Sequence, residues 1–541
     1  MVRDRALRRL AGAAALVPLG FLAYFFVYPV LSILASAFFP PGGFGLDAFR
    51  ELAARRSLLG VAWFTVWQAV VSTLVTVAVG IPGAHALARH EFRGRKLVRA
   101  ATIVPFVMPT VVVGSAFLAL LGRNGALGID MRGTVWLILA AHVFYNYAVV
   151  VRTVGTAWER MDPRIEEAAR VLGASPWRTF RSVTLPVLRP AIASAASIVF
   201  LFTLTSFGVI LILGNLATAT IEVEIWRLAT SLIDLRGAAA LATIQLVAVT
   251  AVLFAYSRYQ ERRSVQVQPA AARPTRPATW RQRALLAANL GFMATLLLAP
   301  LAVLVERALR VDGGYGIGNF RRLLVDTPIL LVKPVASVAY SLAYAAGATV
   351  VAVTIGLMAA AVVARRRGLV GRWFDTVLML PLGTSAVTLG FGFLVALDEP
   401  VDIRAAVWLV AIGHALVAIP FVVRITVPIM RSIRVRLREA AAVLGASPAR
   451  VWREVDLPVI GRAALVAAGF SLAVSLGEFG ATSFLARPDA PTMPVAIYRF
   501  LSRPGSVNFG VAMALSVVLM VVTTVAVLAV ERLRPDDTSG F

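Results

Sequence analysis

One polar passage is written twice in this chain, and it fixes what the fold must contain. Glu167-Ala168-Ala169, three residues, Gly173, nine residues, Val183, one residue and Leu185-Pro186 recur as Glu439-Ala440-Ala441, Gly445, Val455 and Leu457-Pro458, every matched position 272 residues further on. A loop without a task rarely recurs at fixed spacing, so the fold has to present this element in two equivalent places. Locally each copy reads as a short helix, a glycine turn and a second short segment. Glu, Ala, Val and Leu favour helix, Gly173 or Gly445 sits where a helix stops in a left-handed turn, and Ser-Pro restarts the chain. The small Ala pair beside a carboxylate leaves a surface that another body can approach closely, which is the shape of a docking element.

The material between the copies is apolar. The 541 residues are 59% hydrophobic and 15% charged. A water-soluble chain of that length needs more polar surface, so the stretches of about 20 apolar residues are read as bilayer spans. Six are expected in the first half, near 11–38, 60–88, 100–121, 134–156, 191–213 and 237–256, and six in the second, near 284–305, 335–364, 373–397, 405–427, 463–485 and 507–530. Pro105 and Pro109 are expected to bend the third. The expected fold class is thus an all-α membrane protein, with twelve transmembrane helices in two homologous six-helix halves. The division is 1-257 (docking loop 157-190), a linker at 258-283 read as extended or disordered, and 284-541 (docking loop 428-462). No cleavable signal peptide is expected.

The duplication extends beyond the docking passage. His142 matches His414, Phe207-Gly208 matches Phe479-Gly480 and Trp226-Arg227 matches Tyr498-Arg499 at the same offset, while Gly80 and Pro105 match Gly356 and Pro381 at 276. A parallel duplication with six spans per half predicts a pseudo-twofold axis along the membrane normal, with the solute pathway between the halves.

A net charge of +25 could signal a nucleic-acid partner, but most of the 53 Lys and Arg fall in segments placed inside, including Val2 to Arg9 and both docking loops. The positive-inside rule gives that asymmetry and puts both termini in the cytoplasm of a plasma (inner) membrane protein. No nucleic acid is expected as a partner. With no cysteine and four dispersed histidines, neither thiolate chemistry nor a metal site is expected. The chain has no Gly-x4-Gly-Lys-Ser/Thr phosphate loop and no convergent catalytic set, so it is read as a non-enzyme without a cofactor, any ATP being hydrolysed on another polypeptide.

Both copies of the passage fit the cytoplasmic signature that the chain shares with another group of proteins. Glu-Ala-Ala, three residues, Gly, nine residues, an aliphatic, one residue and Leu-Pro resembles the signature of permease subunits in binding-protein-dependent ABC importers. The resemblance implies that each loop forms a coupling helix seated in a cleft of an ATPase subunit. It also implies two ATPase copies and a separate extracytoplasmic solute-binding protein. Glu167, Ala168, Ala169, Gly173, Glu439, Ala440, Ala441 and Gly445 would be the coupling residues, with both carboxylates facing the ATPases. The fused arrangement is similar to thiamine and ferric-iron permeases. The segments 141–146, 205–209 and 219–225 look most like the thiamine type, so thiamine or a thiamine phosphate is favoured over ferric iron.

Candidates for the solute pathway are Glu478, Ser206, His142 and His414. Glu478 is expected inside the eleventh span, where an ionisable group is costly unless it faces a cavity or a partner. It reads equally as a structural acid, and Ser206 is its equivalent. His142 and His414 read either as hydrogen-bonded structural residues or as a polar ring near the outer mouth. Glu222, Glu224 and Asp234 are expected in an outer loop, as a solvated face or a patch for the binding protein. Trp63, Trp67, Trp136, Trp226 and Trp408 fit interfacial anchors. The rival reading is an ion-gradient-driven secondary transporter with two six-helix halves. It lacks an acidic relay within the spans and leaves the docking loops without a purpose.

Overall fold

The computed structural model describes residues 15–40, 43–123, 125–263, 274–277, 279–311, 313–365, 374, 377–398, 402–433 and 435–532. Val2 to Arg9, residues 264–273 and 278 of the linker and the extreme C-terminal residues lie outside the described residues.

Among the described residues the chain is all-α apart from a hairpin pairing Arg310–Val311 with Gly314–Tyr315. Among the described residues, ten helices are long and apolar enough to cross a bilayer. They are Ala15–Phe38, Arg56–Arg89, Val135–Glu159, Pro176–Leu204, Leu235–Tyr256, Trp280–Leu309, Ala336–Ala364, Trp408–Ser432, Ala449–Gly477 and Ser506–Ala529. The expected third span of each repeat is broken, which is why the count differs from twelve. Arg95–Val107 and Thr110–Leu121 meet at 102°. Pro109 cannot continue the helical ladder and forces Met108 into extended backbone, ψ 137°. In the second repeat Ser385, 276 residues on, caps a new helix Ala386–Ala396 by accepting from the Val387 amide at 3.1 Å, after extended Thr384.

The fifth and eleventh spans also differ from expectation. They begin inside the docking loops, at Pro176 and Ala449, and stop at Leu204 and Gly477, earlier than the hydropathy suggested. The apolar residues that follow belong to separate short helices, Gly208–Leu213 and Thr482–Leu485. Hydropathy counts side chains and does not register a backbone that stops and restarts.

The described chain forms two compact units. One comprises Arg55–Glu224 and Val247–Tyr315; the other comprises Met1–Ala54, Ile225–Leu246 and Gly316–Phe541. In the first, Arg56–Arg89 packs along Val135–Glu159, and Trp280–Leu309, which opens the second repeat in sequence, packs against Thr110–Leu121. In the second, Ala336–Arg365 packs along Trp408–Ser432, and Tyr28–Phe38 from the first repeat packs on Ala386–Ala396. Each unit thus takes in the opening helix of the other repeat.

The central helix pair is held close by the same glycine in both units. A Cβ on Gly80 would lie 2.6 Å from Val150 Cγ1, and one on Gly356 would lie 2.6 Å from Val422 Cγ1. Real Cβ atoms do not approach that closely, so a side chain at either position would push the helices apart.

The described part of the linker is held more firmly than its composition suggests. Helix Leu235–Arg263 runs past the expected span end, and Trp280–Leu309 starts before the next one. Thr275 is pinned to the basic loop: its amide donates to Arg89 O and its carbonyl accepts from the Glu91 amide, both at 3.0 Å. Leftover backbone donors and acceptors of the loop are satisfied in this way.

Candidate functional site

Each copy of the repeated passage is a helical hairpin closed by its glycine. The helices Pro163–Val171 and Val435–Val443 occupy the same repeat positions. Asp162 caps the first by accepting from the Arg164 amide at 2.9 Å, with Pro163 at the opening position. Gly173 and Gly445 adopt φ of +83° and +82° with open space where a Cβ would stand, so conformation rather than crowding selects glycine. The Ala174 amide donates to Ala169 O and the Ala446 amide to Ala441 O, both at 3.0 Å, which closes the helix end.

The second segment is not short, as the sequence suggested. After Ser175 accepts from the Arg178 amide at 3.3 Å, the chain stays helical from Pro176 to Leu204. A wide turn at Phe180–Thr184 lies within that helix, and an identical one at Trp452–Asp456 lies in the second repeat. Such π turns are rare and often accompany function. The hairpin is therefore continuous with a membrane helix.

Glu167, Ala168, Glu439 and Ala440 are exposed, with Ala169 and Ala441 half-buried beneath them. The most protruding groups are apolar. Val171 and Leu172 are 86% and 87% exposed, and Val443 and Leu444 are both 87% exposed. Sequence reasoning had them as helix formers only; an apolar pair just before a turning glycine was the available signal.

A second feature was missed. Glu166 accepts from Thr184 at 2.6 Å and from Arg89 at 2.9 Å. At the equivalent positions of the second repeat, Arg438 donates to Asp456 at 2.8 Å. The same two positions are tied in both elements by different chemistry, each tie joining the hairpin to the wide turn.

The pathway candidates gather at the break that ends the fifth and eleventh spans. His142 and His414 are buried, and both are hydrogen-bonded on both ring nitrogens. His142 Nδ1 lies 3.0 Å from Ser72 Oγ and Nε2 lies 2.9 Å from Ser206 Oγ. His414 Nδ1 lies 2.7 Å from Ser475 Oγ, while Nε2 lies 2.7 Å from Thr482 Oγ1 and 3.2 Å from Glu478 Oε2. The structure thus joins His142 with Ser206 and His414 with Glu478, and adds Ser72, Ser475 and Thr482. Glu478 is not within a span: it follows Gly477 with ψ 126°. Its buried carboxylate accepts from the amides of Ala481 at 2.8 Å and Thr482 at 3.0 Å, and from the Thr482 hydroxyl. A buried carboxylate is tolerated only when so supplied with donors.

The expected outer acidic face is corrected. Glu222 and Glu224 are buried, at 0% and 3% exposure. Helix Ile221–Thr230 is tucked in at its start, the Ile221 amide donating to Thr65 at 3.0 Å, as the Met493 amide donates to Ser341 at 2.7 Å in the other repeat. Asp234 caps the next helix through the Gly237 amide at 2.8 Å. Trp63, Trp67, Trp136 and Trp408 are exposed, as lipid-interface anchors require, but Trp226 is not: its ring meets Tyr498.

Two loops repeat a further motif that escaped notice. Asp130 accepts from Arg132 Nε and Nη2 at 2.9 and 2.8 Å, and Asp402 accepts from Arg404 at the same distances. The guanidinium bonds hold both carboxyls below the usual range, Asp402 at about 2.

Each repeat of this all-helical membrane body thus carries one exposed hairpin tipped with apolar side chains, the arrangement a membrane permease would offer. The chain belongs to the family described as binding-protein-dependent transport system inner membrane component, which it matches twice, over residues 77–266 and 352–536. It is an integral inner-membrane permease subunit of an ABC importer. Among curated proteins it is 30% identical to the thiamine transport system permease protein ThiP of Brucella abortus (strain 2308), with 92% of each chain covered. It is 28% identical to the ThiP protein of Escherichia coli (strain K12), over 85% of this chain and 88% of that one. The sulfate transport system permease protein CysT of the same organism is 36% identical over 37% of this chain and 75% of its own.

Proposed function

We propose that this chain carries thiamine or a thiamine phosphate from an extracytoplasmic binding protein into the cytoplasm, driven by two ATPase copies seated on its two docking hairpins. Both termini would then lie in the cytoplasm. The observation that carries the reading is the likeness to thiamine permeases along almost the whole fused chain, whereas the sulfate permease matches 37% of it, less than one half. Ferric iron, second in the sequence reading, gains no specific support from these relatives. Membership of an ABC importer family sets the ion-gradient alternative aside.

In this reading Val171-Leu172 and Val443-Leu444 enter an apolar cleft on each ATPase, with Glu167 and Glu439 at its rim. Burying such apolar side chains supplies the affinity, about 1.5–3 kcal/mol for each when fully covered. Because each hairpin runs without interruption into a membrane helix, displacement of the hairpin moves the helix that ends at the His142 or His414 cluster. Glu478, Ser206 and the two histidines hold the break at which the route changes shape.

Vesicles containing the chain, its ATPase and its binding protein should accumulate radiolabelled thiamine with ATP. Accumulation of sulfate or ferric iron instead would reassign the solute.

A further inference from the structure

Trp226 and Tyr498 are one and the same position of the repeat, and their rings touch: the centroids are 5.9 Å apart and the planes are at 90°. Phe479 packs on the second ring at 5.7 Å. All three residues lie in one compact unit. A contact between a position and its own duplicate is isologous. In transporters built from parallel repeats the solute site lies where the repeats meet, so a contact between equivalent positions is a candidate constriction.

The surroundings agree. Trp226 and Tyr498 sit on the short helices Ile221–Thr230 and Met493–Leu501, which follow the helix break of each repeat. Irregular backbone in a membrane protein is tolerated where it is enclosed by protein or lines a cavity. Both rings are only half-buried, while Phe479 behind them is buried. The pair is an edge-to-face contact, so opening it breaks neither a hydrogen bond nor an ion pair between the two rings. Aromatic or apolar constrictions of this type close a route by excluding water.

We propose that the Trp226–Tyr498 contact, backed by Phe479, is the gate that shuts the solute route and must part once in every transport cycle. The proposal rests on membership of the importer family and not on which solute is carried.

The test uses the full chain with its ATPase and binding protein in lipid vesicles loaded with radiolabelled mannitol, a probe independent of the natural solute. Trp226→Ala with Tyr498→Ala raises mannitol efflux at least about tenfold over the parent, and Trp226→Phe with Tyr498→Phe stays tight, as expected for a ring-filled constriction. The chain contains no cysteine, so Trp226→Cys with Tyr498→Cys gives one addressable pair. This pair leaks before bridging, which provides a second variant if the alanine pair fails to fold. A short cleavable thiol reagent seals it against mannitol and stops ATP-driven entry of radiolabelled thiamine, read as an initial rate, and reductant reverses both. Efflux at the parent rate in both ring-free pairs, or full uptake through the bridged pair, overturns the gate. A parent protein that accumulates no thiamine overturns the solute assignment alone, because the mannitol arm still decides the gate.

Discussion

Arg438 donates to Asp456 at 2.8 Å across the second docking hairpin, where the first hairpin has Thr184 donating to Glu166. The bond types differ, yet both join the docking helix to the wide turn that opens the next membrane helix. Force applied to the hairpin therefore reaches the span through a side-chain tie as well as through the backbone.

Arg438→Ala should loosen the second hairpin. It leaves the largely buried Asp456 without its cation, and an unsatisfied buried acceptor costs about 1–3 kcal/mol. The expected outcome is preserved expression with ATP hydrolysis partly uncoupled from transport, measured as solute carried per ATP. Exchanging both residues, Arg438→Asp with Asp456→Arg, should recover part of the coupling. Unaltered stoichiometry in the single variant would argue that the tie transmits nothing.

Gly173→Ala and Gly445→Ala each place a side chain in the left-handed region, at about 1–2 kcal/mol. The space around both positions is open, so Asn, which tolerates that conformation, should restore most of what Ala loses. Affinity for the ATPase, measured by titration in detergent, should fall several-fold with Ala and little with Asn. Equal losses would show that crowding, not φ, selects glycine here.

Gly80→Val tests the helix packing rather than the docking. Its side chain would collide with Val150, and overpacking of this kind costs about 1–3 kcal/mol. The melting temperature in detergent should drop, and Val150→Ala should recover part of the loss. Gly356→Val with Val422→Ala should behave alike.

The pH response of the two aspartate loops has a defined sign. Arg404 holds Asp402 at about 2, below the unfolded value of about 3.9, so the pair contributes to stability at neutral pH. That contribution starts to fade below the unfolded value and is gone once the pH falls through about 2. The melting-temperature difference between the parent and Asp402→Asn should be constant above pH 5, vanish near pH 2, and shrink in high salt because the pair is exposed. A difference that persists to pH 2 would contradict the assignment.

Much of this was legible from the sequence. The two glycine-turned hairpins, the membrane class and the duplication were all readable because Gly, Pro and apolar runs act locally, and a repeat doubles every local signal. The glycine turns at 173 and 445 appear as expected. The helix breaks after Leu204 and Gly477 were not legible, because they are held by partners distant in sequence, His142 at Ser206 and His414 at Glu478. Burial of Glu222 was hidden for the same reason: what tucks its helix inward is Thr65, 156 residues away in the chain. The exchange of opening helices between units also left no trace in hydropathy, which reports that a helix is apolar but not what covers it.

The central claim is that the two hairpins are the seats of the ATPases, and copurification tests it most directly. The chain carrying Glu167→Arg with Glu439→Arg, solubilised with its ATPase, should retain its fold by melting temperature while losing most of the bound ATPase and ATP-dependent uptake. Retention of the ATPase at parental stoichiometry, with uptake intact, would contradict the account.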